Sequence, residues 1–337
     1  MASSLTVTAF LVFTMYHQVL AAGNRDAYAN DINNCLFKYW PPNVLKGNVP
    51  CPGSQLCYSN MSKDPAQFVV CYNTKTLTPD FTSHVIVGDP AASRAGRKDE
   101  WYDEKGVFAP NPESSVAPPN NEYKVANQKD LFPNYNSDCN TGRFCARGHL
   151  TPNSDFATSE ERIETFINTN IAPQWQLFNG GNWAKVEEAV REYNAGQSDK
   201  QHKHLLYIFT GTAGFGGQLD GNVVEVKLNN RVYAPTYYWK VVCDPQAPTP
   251  PGATTGGQSV VIMADNNIGD ISDIQIESKW NPAKFQTKKR GFIQLYSLDE
   301  VNKIFMVSNL HLPPLGSQCN PDKRGTFLDS VLDNKLT

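Results

Sequence analysis

Apolar and polar positions change rhythm repeatedly along this chain. Leu5 to Met15 is an uncharged apolar run, followed by the small residues Val19-Leu20-Ala21-Ala22-Gly23. That pattern reads as a secretory signal peptide over residues 1–22, because a membrane span needs about 20 apolar residues. From residue 24 to residue 75 the periodicity is weak, and Pro, Gly and the cysteines at 35, 51, 57 and 71 punctuate the chain. Residues 23–75 therefore read as a cysteine-rich N-terminal appendage. Ser83-His84-Val85-Ile86-Val87 reads as a strand. Asp89 to Glu122, rich in Pro, Ser, Asn and charge, reads as a long surface loop.

Helical spacing comes next. Thr158 and Glu161 match a capping box, with Ile163, Phe166 and Ile167 at helical intervals and Pro173 as a stop. A second helix is expected from Asn179 or Gly181 to Tyr193, with Trp183, Val186 and Val190 turned toward a core. Beyond residue 200 the period shortens. Leu205-Leu206-Tyr207-Ile208-Phe209 is continuous apolar, as in a fully buried strand, and Val224, Val226 and Leu228 alternate with charged residues. Tyr237 to Cys243, Val260 to Ala264 and Lys303 to Asn309 are expected strands. The mixture predicts an α+β layered fold.

Composition narrows the classes. Of 337 residues 40% are hydrophobic, enough for a sizeable core, and no segment after the first is long and apolar enough for a membrane. The net charge of −3 excludes a basic coat for nucleic acid, so any polyanion contact is local, and a bound cation would supply part of the attraction. The runs Lys200 to His204 and Lys284 to Arg290 read as solvated faces. Eight cysteines in an oxidising compartment predict four disulfides, with 105 possible pairings. Thiolate metal binding is the weaker reading, because Cys51/Cys57 and Cys139/Cys145 are spaced too widely for a zinc pair. A Cys139–Cys145 bridge would pin the chain just before residue 149. Asn60-Met61-Ser62 is a glycosylation sequon.

Candidate chemistry centres on Arg147-Gly148-His149-Leu150-Thr151-Pro152-Asn153-Ser154-Asp155. An imidazole beside a guanidinium can take a proton from water at neutral pH if its ring is held in place. Downstream, Asn179, Trp183, Glu187 and Arg191 recur every fourth residue, so a helix starting near Asn179 carries them on one slowly drifting stripe. Amide and carboxylate oxygens suit a hard divalent cation, and Arg pairs with phosphate; together they point to phosphodiester chemistry. Taken alone, Glu187 and Arg191 would be an ordinary surface ion pair, and Trp183 reads as a core anchor. His84 and His311 read as structural, His202 and His204 as a solvated strand end whose metal-pair reading lacks a third ligand, and Asn153 and Asp155 as turn formers, with Asp155 placed to contact a water in the site.

Over roughly residues 70 to 312 the chain resembles the DNA/RNA non-specific endonucleases of the ββα-metal superfamily, found in bacteria and among secreted arthropod nucleases. The resemblance rests on Arg147-Gly148-His149, the Asn-x-x-Pro-Gln block at 170–174, Asn179, Trp183, Glu187 and Arg191. Later landmarks are Thr210-Gly211, Pro235-Thr236-Tyr237-Tyr238-Trp239-Lys240 and Ile276-Glu277. It implies a central, mostly antiparallel sheet layered with helices, disulfide-stabilised, with the endonuclease domain at 76–337. It further implies a secreted enzyme that cuts DNA and RNA to 5′-phosphates with Mg²⁺, or Mn²⁺ in its place. His149 would be the general base, Asn179 the protein ligand of the metal, and Glu187 the group orienting metal-bound water. Arg147 and Arg191 would stabilise the transition state. The family pattern begins Asp-Arg-Gly-His, whereas this chain has Ala146. That departure carries the alternative expectation of a nucleic-acid-binding protein with weakened cleavage.

Overall fold

Alternation along successive apolar segments builds one large sheet. A computed structural model describes residues 27–29, 31–37, 40–58, 66–89, 101, 120–128, 131, 144–199, 201–215, 217–219, 222–249, 252, 256–266, 291–305 and 309–336. The expected signal peptide, the Asn60 sequon, Cys139, Glu277, the Lys284–Arg290 run and most of the 89–122 loop lie outside the described residues. The strands are β1 (Ala27–Ala29), β2 (Ser54–Tyr58), β3 (Phe68–Asn73), β4 (Thr78–Val87), β5 (Cys145–His149), β6 (Ile171–Trp175), β7 (Leu205–Ala213), β8 (Gly217–Leu219), β9 (Asn222–Val224), β10 (Lys227–Leu228), β11 (Val232–Tyr233), β12 (Tyr237–Asp244), β13 (Gln258–Asp265) and β14 (Ile293–Tyr296). Eight of them form one sheet in the order β1-β2-β3-β4-β7-β12-β13-β14. Every pairing in it is antiparallel, so the α+β, mostly antiparallel expectation holds.

Both faces of the central strands are covered, which explains their continuous apolar runs. On one face Ile86, Leu206, Ile208, Tyr238, Val242 and Ile262 pack against Trp183, Val186, Ala189 and Val190. On the other, Val69, Phe81, Phe209, Trp239, Val241 and Val261 meet Ile32, Leu36, Trp40 and Val44, with Leu298, Val301 and Leu315. Helices α1 (Ile32–Phe37), α2 (Ser159–Glu164), α3 (Gln176–Phe178), α4 (Ala184–Gln197), α5 (Leu298–Ile304) and α6 (Asp329–Lys335) supply the layers. No helix among the described residues is long and apolar enough to cross a membrane.

Several expectations are corrected. Residues 23–75 are not an appendage, because β1, β2 and β3 extend the main sheet and α1 joins its core. The cysteines disguised two strands there: Cys57 lies in β2 and Cys71 in β3, and both are fully buried. The segment expected as a strand from Lys303 begins inside α5, which Ser297 and Glu300 start with a reciprocal capping box. Among the described residues three disulfides form: Cys35–Cys57, Cys51–Cys71 and Cys243–Cys319. Cys145 is instead a free buried thiol, pushed up to about 12 by burial, so it does not take the expected bridge.

Candidate active site

The hairpin β5–β6 presents the Arg-Gly-His segment. Its register sets Arg147 opposite Pro173, Gly148 opposite Ala172 and His149 opposite Ile171. Arg147 and His149 alternate around Gly148 and so share a strand face. Only glycine fits between them. A Cβ on Gly148 would lie 2.5 Å from the Gln174 Cβ and 2.7 Å from the Tyr238 hydroxyl. Beyond His149 the chain is clamped by Asn170, whose Oδ1 accepts from Thr151 N at 2.9 Å and whose Nδ2 donates to the carbonyls of Thr151 and Thr165. Asn266 fixes the other strand, accepting from Trp175 N and donating to the carbonyls of Pro173 and Pro235.

Aromatic rings surround both side chains. The His149 ring lies 4.8 Å from Trp101 and 5.0 Å from Phe166, the latter edge to face. The Arg147 guanidinium stands 5.4 Å from the Trp101 ring and 5.7 Å from the Tyr123 ring. Its Nη2 donates to both the carbonyl and the side-chain oxygen of Asn120, each at 3.0 Å. Burial draws the guanidinium below its ordinary pKa, with the Tyr123 hydroxyl opposing.

The second half of the site comes from the helical segment after β6. Asn179–Trp183 forms a π-helical turn between α3 and α4, with Gly181 out of helical geometry. Asn179 therefore sits on this wide turn, ahead of the regular stripe expected from its spacing; such turns recur at functional sites. The Asn179 side chain is half-buried and has no hydrogen-bond partner among the described residues. Trp183 is in the core, as expected. Glu187 and Arg191 face the sheet, where a polar row crosses three strands: Thr82 pairs with Thr210, and Thr210 with Lys240.

Lys240, 1% exposed, donates to the Thr210 hydroxyl at 2.5 Å. Burial lowers its pKa, against the pull of Glu187 and Asp155. Burial raises the Glu187 carboxyl to about 7, while Lys240 and Arg191 draw it down. Arg191 Nη1 donates to Asp155 Oδ1 at 3.0 Å. The other oxygen of Asp155 meets His84 Nε2 at 2.9 Å. Burial pushes the Asp155 carboxyl up, but the His84 hydrogen bond and the Arg191 charge outweigh it and hold the group below its ordinary value.

The structure thus places Arg147 and His149 around Trp101, and gathers Glu187 and Arg191 around Asp155 and Lys240. The turn 150–155 joins the two groups: it leaves His149, bonds Thr151 to the Thr82 hydroxyl at 2.8 Å and ends at Asp155. The sequence pattern alone reads Asp155 as a turn former that could reach a water in the site, His84 as structural, and Trp101 as part of the 89–122 loop. The available signal was the polar Ser83-His84 pair inside an apolar strand. His204 lies against Asp244 at 3.0 Å with its side chain 10% exposed, so it is not a solvated strand end.

A family model described as DNA/RNA non-specific endonuclease matches residues 53–292. A salivary endonuclease of Lutzomyia longipalpis is 28% identical over 205 residues, covering 59% of this chain and 45% of the relative. A salivary endonuclease of Culex quinquefasciatus is 24% identical over 187 residues, 52% of this chain and 43% of the relative. The chain spans less than half the length of these curated relatives. The solved EndoG/EndoGI complex is similar at 16% identity and a TM-score of 0.46, covering 84% of this chain and 93% of that chain. With most of its length matched by the family model, the chain belongs to the DNA/RNA non-specific endonuclease family.

Proposed function

We propose that this chain is a secreted endonuclease that hydrolyses phosphodiester bonds of DNA and RNA, leaving 5′-phosphates. The observation that carries the reading is the junction of the two halves of the site. The turn leaving His149 ends on Asp155, which holds Arg191 of α4. Extracellular action is supported by the disulfides and by the salivary names of relatives.

In this mechanism a ring nitrogen of His149 takes a proton from the attacking water, and Trp101 and Phe166 fix the imidazole plane. Arg147 and Arg191 stabilise the charge that develops on the phosphate. The residues present fit a divalent cation, Mg²⁺ or Mn²⁺. Asn179 offers a hard amide oxygen that no described residue claims, and a hard cation keeps water in most of its positions. Asn179 would hold it, with Glu187 orienting its water. Bound there, the cation supplies positive charge to the phosphate and the leaving oxygen.

The test is cleavage of plasmid DNA and of RNA, with Mg²⁺ and with EDTA. Wild type is expected to degrade both only with the cation, and His149→Ala to lose at least about 100-fold in rate. Equal rates for wild type and His149→Ala would overturn the reading. A second reading is a nucleic-acid-binding protein with weakened cleavage, and Ala146 favours it. Opposite Ala146 stands Gln174, fully buried, with neither amide atom hydrogen-bonded among the described residues. Tight DNA binding without cutting in Mg²⁺ or Mn²⁺ would select this second reading.

A further inference from the structure

The Asp155 carboxylate is divided between two side chains on different elements. One oxygen accepts from Arg191 of α4 at 3.0 Å. The other takes the bond to His84 of β4 at 2.9 Å. Side-chain exposure is 0% for His84, 4% for Asp155 and 18% for Arg191, so the series runs from the sheet interior outward to the guanidinium. We propose that Asp155 and His84 are positioning residues that hold Arg191 in the pose from which it contacts the reacting phosphate. The proposal rests on the role given to Arg191 under the proposed function.

The geometry explains why two groups are needed. An arginine side chain is long and has many rotamers, and an unrestrained one gives up that freedom each time it meets a phosphate. A carboxylate fixed at one oxygen only can still swing about its side-chain torsions. Asp155 is fixed at both oxygens, and its backbone is held as well, since Asp155 N donates to Pro152 O at 3.2 Å. The guanidinium carries five N–H donors. The bond to Asp155 occupies one, which leaves donors on the exposed part of the group for phosphate oxygens.

Chemistry assigns the proton on His84. A carboxylate can only accept, so Nε2 carries the hydrogen. Nδ1 is then a bare acceptor, buried without a hydrogen bond among the described residues. The ring packs 5.6 Å from Phe156. A neutral imidazole, one carboxylate and one guanidinium sum to zero charge, so the trio fills the space beneath the site without an unbalanced ion. Glu187 and Lys240 form a second balanced pair beside it when both are ionised. The same carboxylate ends the turn that starts at His149. Orientation of the arginine is thereby tied to the segment carrying the base.

A merely structural Asp155 would change stability and leave turnover by the folded enzyme alone. The discriminating experiment is a double-mutant cycle on kcat/KM with Mg²⁺, using Asp155→Asn and Arg191→Lys, with single-turnover rates wherever steady-state cleavage is slow. Asp155→Asn is expected to lower kcat/KM about tenfold, mainly through kcat, and to cost less than about twofold once Arg191 is already Lys. Additive losses would overturn the proposal. His84 provides a second arm that keeps Asp155 intact. His84→Gln retains a donor and is expected to stay within about threefold of wild type, whereas His84→Leu falls as Asp155→Asn does. Equal behaviour of the Gln and Leu variants also overturns it. If Arg191→Lys itself leaves kcat/KM unchanged, the role of Arg191 in the proposed function fails; additivity with an active site sensitive to Arg191→Lys sinks only the positioning role.

Discussion

Gln174 is the residue whose surroundings look incomplete. It is fully buried on β6 and faces Ala146 across the hairpin, with both polar atoms of its amide unpartnered among the described residues. An unmade hydrogen bond at a buried polar atom costs about 1–3 kcal/mol, and directly opposed residues on paired strands are close enough for short side chains to meet. Asp at 146 places an acceptor within reach of the Gln174 amide nitrogen. Ala146→Asp is therefore expected to raise Tm by about 2 °C or more and to increase the cleavage rate, read from thermal melts and a plasmid assay on the same preparation. A variant that melts lower and cuts no faster would show that the position has been repacked around alanine. The Arg147-Gly148-His149 triplet and the four-residue step from Glu187 to Arg191 could be read as candidates because each pattern is local. The contacts of His84, Asp155 and Lys240 were not legible, because each is made with a strand, turn or helix far away in the chain.

Elements explain how that spacing becomes geometry. The β5–β6 hairpin works because Gly148 lets the Gln174 side chain and the Tyr238 hydroxyl approach the backbone between Arg147 and His149. Gly148→Ala forces at least one of them to move, and the Gln174 Cβ is tied to its own strand. Overpacking of this kind costs about 1–3 kcal/mol. The expected result is a lower Tm together with a loss of cleavage out of proportion to the folded fraction, because the displaced hairpin carries both Arg147 and His149. Circular dichroism melts and kcat on the same sample check it; an unchanged kcat would mean that the hairpin tolerates the shift. The capping box at Thr158 was readable from four residues, as was the apolar run of β7. Ser297 and Glu300 form the equivalent box, and the helix it starts ends at Ile304, two residues into the segment whose apolar pattern reads as a strand toward Asn309. The π-helical turn at Asn179 was not readable at all, since regular fourfold spacing carries no mark of a widened turn.

At the scale of the whole molecule, a sheet covered on both faces buries charged groups that a one-sided sheet would leave in water, and this sets how stability responds to pH. Glu187 is the clearest case. Burial raises its carboxyl from the ordinary 4.5 to about 7, so the folded state binds a proton that the unfolded chain has released. That contribution is fully present below pH 4.5 and is lost as pH rises through about 7. His84 acts in the opposite sense. Burial lowers its pKa below the ordinary 6.5 against the bond to Asp155, so stability from its neutral form is present above 6.5 and falls away in acid. Between these values the two groups offset one another, and the wild-type profile alone separates neither. Removing one does. Glu187→Gln keeps the shape and abolishes the titration, so the loss of stability between pH 5 and pH 8 is expected to be smaller in the variant than in wild type. The displacement caps the difference at about 3 kcal/mol, and the partial exposure of Glu187 reduces the expected value to about 1 kcal/mol, or a shift of about 2 °C. Thermal melts of both proteins at pH 5 and pH 8 in EDTA measure it directly. Parallel profiles for the two would mean that Lys240 and Arg191 keep Glu187 ionised throughout, and that the carboxylate stands ready to orient a cation's water without first losing a proton.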